Sequence, residues 1–173
     1  MRRTLVLLAS LVLLWALVAE LNHGLSSLHV YVFVGGLYVG FSALTQPLRP
    51  GLSASLIAGL ICDATTPVLF GTHALLFSAA HLVVFRVRDR VPREDNIAST
   101  LLVLFTNFAL FLAFSFTQVH AAPLPGAYWS RLLADLVCSQ IFIALVTPWY
   151  FALQARALAL VEAVAALRAQ QAR

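Results

Sequence analysis

Apolar residues in this chain come in six runs, each closed by arginine, proline or a short polar stretch, and that pattern restricts the fold more than any other feature. The runs are Thr4–Ala19, Leu28–Leu44, Pro50–Thr66, Leu69–Phe85, Ile97–Phe116 and Leu132–Leu153. A hydrocarbon core of about 30 Å needs about 20 helical residues, with a range of about 17–25. The last two runs reach that length easily, and the first reaches it if Glu20 and Leu21 extend it to the interface. The third and fourth are short and are parted by Pro67 and Gly71. They read as two full spans or as a re-entrant hairpin, and full spans suit the arginine pattern better. Of the 173 residues, 61% are hydrophobic and 10% charged, where a soluble domain carries roughly a quarter charged. Too little polar surface remains to coat a globule. The expectation is an all-α integral membrane protein: a six-helix transmembrane bundle over residues 1–153, and a helical cytoplasmic tail over 154–173.

The formal charge of +4 comes from eleven arginines, with no lysine. Six spans put Arg2, Arg3, Arg49, Arg86, Arg88, Arg90, Arg93, Arg156, Arg168 and Arg173 on one side and only Arg131 on the other. Basic residues favour the cytoplasmic side, so both termini are expected there. A signal peptide would need a small residue where Leu17 stands, so cleavage before Glu20 is disfavoured. No basic groove with interleaved aromatics is visible, which argues against nucleic-acid binding. The cytoplasmic loop holding Arg86, Arg88, Arg90 and Arg93 reads as a topology and headgroup contact, or as a receiver for a cytoplasmic partner. Asp95 or Asn96 can cap the fifth span. Pro123, Pro125 and Gly126 mark an outer loop beside the Tyr128–Trp129 interface anchor. The two cysteines, Cys62 and Cys138, lie in apolar runs, so no disulfide framework is expected. Gly36 and Gly40 form a GxxxG that permits close helix approach, within the bundle or against a partner span. No heptad of useful length stands out.

Asp63 is the residue that asks for a reason. A carboxylate in hydrocarbon costs about 2.5–3.5 kcal/mol on insertion scales. In an antiparallel hairpin turning near Pro67–Val68, Asp63 and His73 sit at equal depth, and Asp135 enters the sixth span from the same outer side. Two readings follow: Asp63, His73 and Asp135 line a polar pocket or docking groove, or Asp63 bonds within its own hairpin, to His73 or to Thr65, Thr66 or Thr72. Catalysis has little support. His73 and His81 are about 12 Å apart along a helix, no H-E-x-x-H occurs, and Ser53, Ser55 and Ser78 lack a Gly-flanked nucleophile pattern. No catalytic residue, metal set or cofactor is expected. His81 reads as a buried helix contact, Asn107 and Gln140 as interhelical hydrogen-bonders.

Gly59-Leu60-Ile61-Cys62-Asp63, followed by Gly71-Thr72-His73-Ala74-Leu75 eight residues after the aspartate, resembles the rod shape-determining protein MreD family, with its G-L-x-x-D run and later G-x-x-A-L. The size, the second span ending near Arg49-Pro50 and the proline of the last span, Pro148, agree. Pro67 and Phe70 depart from the family's usual Gly and Leu. The resemblance implies a non-enzymatic scaffold of the bacterial inner membrane. It would bind an MreC-like single-span protein and help couple MreB filaments to peptidoglycan synthesis by RodA and its transpeptidase. The alternative is the substrate-binding component of an energy-coupling-factor vitamin transporter, whose fold MreD-like sequences resemble. Against it, the first run lacks the small-xxx-small spacing such components use to dock their coupling subunit.

Overall fold

The computed structural model describes residues 2–66, 68–90, 96–119 and 125–171. They form six α-helices: α1 (Arg2–Leu25), α2 (Gly35–Thr45), α3 (Leu48–Thr65), α4 (Thr72–Val87), α5 (Asn96–Val119) and α6 (Pro125–Gln171), with 3-10 turns at Ser26–Leu28 and Arg88–Arg90. Pro67, Arg93, Asp95 and Pro123 lie outside the described residues. Among these helices, α1, α5 and α6 are long and apolar enough to cross a membrane. Their outward faces are apolar too. Leu17, Phe105, Leu145 and Trp149 are well exposed, as befits helices solvated by lipid and not by water. The chain therefore has the character of a multi-pass membrane protein.

The short helix α2 is the centre of the bundle. It packs on α3, α4, α5 and α6, and every residue from Gly35 to Ala43 is buried. A helix enclosed on all sides must let its neighbours come close, and its glycines do this. A Cβ at Gly36 would lie 2.5 Å from the Val103 carbonyl oxygen and 2.7 Å from Asn107 Cβ; one at Gly40 would lie 2.5 Å from Val103 Cγ2. The GxxxG is thus spent inside the bundle, against α5, and is not presented to a partner span. Gly36→Ala should lower stability by about 1–3 kcal/mol, because a backbone oxygen cannot move aside. Thermal unfolding in detergent checks this, with Gly24→Ala, whose added Cβ meets nothing within 4 Å, as the control that should leave the midpoint unchanged.

The second apolar run is not one helix. Only 11 of its residues are helical, and Val30–Val34 form neither helix nor strand. The local sequence explains this: Val30-Tyr31-Val32-Phe33-Val34 alternates β-branched and aromatic residues, with Val32 and Val34 buried and Tyr31 outward. His29, with φ 54°, ends the preceding turn in a left-handed conformation that non-glycine residues seldom adopt. It stands in the turn and does not begin a span.

The other elements also differ from the sequence expectation in length. Helix α1 runs on to Leu25, and Asn22 near its end bonds Val32 in the stretch before α2. On its inner face Leu7, Leu11, Leu14 and Val18 are buried and the helix packs on α3 and α6. At 18 and 16 residues, α3 and α4 reach about 27 and 24 Å. Helix α6 has 47 residues and passes through Pro148 without a break. Past residue 153, Gln154 is 1% exposed and Leu158 is buried.

Candidate functional site

The α3–α4 hairpin is where the polar residues singled out by the sequence meet. Helix α4 starts at Thr72 after Gly71, whose φ of 98° turns the chain in a way only glycine adopts readily. The first N–H groups of any helix have no partner within it. Here Asp63 supplies one from the neighbouring helix. Its Oδ2 accepts from Gly71 N at 3.0 Å and Ala74 N at 3.1 Å; its Oδ1 accepts from His73 N at 2.9 Å. The His73 ring completes the set, Nδ1 lying 2.9 Å from Oδ1. Because a carboxylate only accepts, the ring proton sits on Nδ1. The carboxylate thus caps α4 across the hairpin, at the positive end of that helix's dipole. Of the two readings of Asp63, the structure shows the one in which it bonds within its own hairpin. Thr65 and Thr66 bond back to the Cys62 carbonyl and not to Asp63.

Gly59 and Ala74 of the motif serve the same contact. Gly59 lies against the start of α4: a Cβ there would be 2.4 Å from Ala74 Cα and 2.6 Å from Ala74 N. Ala74 is buried as the small residue facing it, Leu60 is partly buried, and Leu75 points outward, 69% exposed. His73 stacks on Phe114 of α5, with ring centroids 4.2 Å apart, which ties the hairpin to the bundle.

Asp135 does not join Asp63 and His73. It serves the non-helical segment before α2, where its Oδ1 accepts from Tyr31 N at 2.8 Å. Two residues that sequence reasoning passed over act with it. Asn22 bonds Val32 both ways, its amide nitrogen to the Val32 oxygen at 3.0 Å and its oxygen accepting from Val32 N at 2.8 Å; Ser139 accepts from Phe33 N at 2.9 Å. Asn107, expected to bridge helices, accepts from Gly36 N at 3.0 Å. Non-helical backbone at membrane depth is tolerated only where such partners satisfy it. The signal for this brace was the β-branched alternation before Gly35-Gly36, which calls for side-chain partners wherever it is buried. Gln140 bonds the Leu104 carbonyl at 3.4 Å, joining α6 to α5.

A second polar chain joins α2, α3 and α4. Ser42 Oγ lies 3.2 Å from Ser55 Oγ, which lies 2.9 Å from His81 Nδ1. All three residues are buried, and Gly51 lies directly against the His81 ring. His81 is therefore a packed interhelical contact, and Ser55, although it meets a histidine, has no open face for a substrate. Of the basic loop, Arg88 is committed to the fold: its Nη1 donates to the Gln46 carbonyl at 2.8 Å and its guanidinium lies 3.8 Å from the Phe85 ring centroid. Arg86 and Arg90 are exposed. Among the described residues no group of three or more His, Cys, Asp or Glu side chains is placed to hold a metal ion. Family models, curated proteins and solved structures, compared with this chain, yield no match.

Proposed function

We propose that this chain is a non-enzymatic scaffold of the bacterial cell-shape machinery, an MreD-like protein of the inner membrane. It would span the bilayer six times, keep both termini in the cytoplasm, bind an MreC-like single-span partner, and so couple MreB filaments to peptidoglycan synthesis. One observation carries the reading. The residues that resemble the family, Gly59, Asp63, Gly71 and Ala74, are the residues that build one capped hairpin. A motif whose residues act together in one local structure is a stronger link than a chance match of letters. The motif is then a signature of the fold, and partner contacts fall on surfaces outside it. The exposed Arg86 and Arg90 at the inner end of α4 suit a cytoplasmic contact.

The substrate-binding component of a vitamin transporter remains the second reading, and the non-helical entry to α2 favours it. Interrupted helices near the membrane midplane are a device of transporters, where freed backbone groups meet the substrate. Here, however, Asp135, Asn22 and Ser139 already occupy four of those groups. Gentle detergent purification of the tagged chain from its host, with mass spectrometry of co-purifying proteins, separates the two. The scaffold reading expects an MreC-like protein with MreB or RodA. A coupling subunit with paired ATPases would overturn it.

A further inference from the structure

The α3–α4 hairpin is too short to carry its turn out of the membrane. Arg49 near the start of α3 and Arg86 near the end of α4 are exposed and mark the inner boundary. From Arg49 to Thr65 the chain climbs about 24 Å, and from Thr72 to Arg86 it returns about 21 Å. The turn between them adds little height, because it must cross the roughly 8–10 Å that separates two packed helix axes. A hydrocarbon core is about 30 Å thick, and any tilt lowers the tip further. Helix α1, packed on α3, makes the contrast. Its 24 residues rise about 36 Å, and the connection at its outer end exposes His23, Ser26, Ser27 and His29.

The hairpin tip has a different composition. No Asp, Glu, Lys or Arg occurs from Ala64 to Phe85. Leu69 and Phe70 in the turn are 86% and 73% exposed, and Leu75 in the first turn of α4 is 69% exposed. The polar groups of the turn serve the chain itself. The last carbonyls of one helix and the first N–H groups of the next have no partner within their helices, and in a wet turn water can meet them. Here the Thr65 and Thr66 hydroxyls donate to the Cys62 carbonyl at 3.0 and 2.8 Å, and the Thr72 hydroxyl to the Leu69 carbonyl at 2.7 Å. Asp63 takes the N–H groups of Gly71, His73 and Ala74. Val68 N donates to the Thr66 carbonyl and Thr72 N to the Leu69 carbonyl. Non-helical backbone is kept out of hydrocarbon unless protein groups satisfy it, and at this turn protein groups do.

We infer that the tip of the α3–α4 hairpin is a lipid-binding surface: it stops just below the outer headgroups, with acyl chains of the outer leaflet against Leu69, Phe70 and Leu75. A short span is accommodated by local thinning of the bilayer, so lipid, and not a water-borne ligand or a soluble domain, lies over Asp63 and His73. The inference rests on the topology proposed above, with Arg49 and Arg86 on one side, and is independent of any MreC-like partner.

The test is a depth measurement. In a variant carrying Cys62→Ala and Cys138→Ala, a nitroxide is attached to Leu69→Cys, Phe70→Cys or Ser27→Cys. The protein is placed in vesicles of phosphatidylethanolamine and phosphatidylglycerol. Collision of the label with oxygen, which concentrates in lipid, is compared with collision with a water-soluble nickel chelate. The expected oxygen-to-nickel ratio at positions 69 and 70 is several-fold above that at position 27. A ratio at position 70 equal to that at position 27 would place the tip in water and overturn the inference. So would a label at position 70 shielded from both reagents, which would mean that protein covers the tip. As a second readout, Phe70→Asp, too short to reach the headgroups, should lower the protein recovered from membranes several-fold, whereas Ser27→Asp should not. Equal recovery of the two would also refute a submerged tip. A water-facing position 70 in a chain that still co-purifies an MreC-like protein would end the lipid assignment and leave the scaffold reading in place.

Discussion

Asp63→Leu should remove most of the folded protein from the membrane fraction. The substitution is apolar and similar in size, so on hydropathy alone it would ease insertion. What it deletes is the side-chain acceptor for three backbone N–H groups and one imidazole N–H. Each buried donor left without a partner costs about 1–3 kcal/mol. Some of this is recovered by fraying the first turn of α4, so a net loss of about 3–5 kcal/mol is expected. Asp63→Asn keeps the shape but replaces one acceptor oxygen by a donor facing the Gly71 and Ala74 or the His73 N–H groups, and should fall between. Thermal unfolding in detergent and the amount of protein recovered from membranes are the measurements. If Asp63→Asn unfolded as the unmodified protein does, the cap would not be what keeps this carboxylate in the bundle.

The second large effect is expected at Asn22. Its side chain holds both the N–H and the carbonyl of Val32, a residue only 3% exposed. Asn22→Leu orphans both groups and should cost about 2–4 kcal/mol. Asn22→Asp retains the acceptor and loses the donor, so it should cost less. Asp135→Leu removes the next bond along, to Tyr31 N. Because the two side chains brace adjacent residues of one segment, the double variant should lose less than the sum of the two single losses. A double-mutant cycle of unfolding free energies gives that coupling directly. Additive losses would mean that the non-helical segment does not behave as one unit.

Much of the architecture was legible in the chain. Six apolar runs became six helices, the hairpin turned between Thr65 and Thr72, and Asp63 met His73 because equal distances from a turn give equal depths. Two things were not legible. The alternation Val30–Val34 lay inside an apolar run long enough to pass as a span, and apolar content does not distinguish a helix from a non-helical segment supplied with hydrogen-bond partners. Asp135 was grouped with Asp63 by depth alone. Depth is one coordinate of three, and the direction in which a helix presents a side chain depends on its rotation within the bundle.

The residues by themselves determined that this chain partitions into lipid and that it folds as helices, because the cost of burying unpaired backbone leaves few other choices for runs this apolar. They also placed Gly59 and Asp63 four residues apart, on one face of the helix that holds them. Only the tertiary structure decided which donors Asp63 serves, that the GxxxG is closed within the molecule, and that α2 is half a helix. Each of those depends on partners remote in sequence, Asn107 on α5, Ser139 and Asp135 on α6, which periodicity along one segment cannot place.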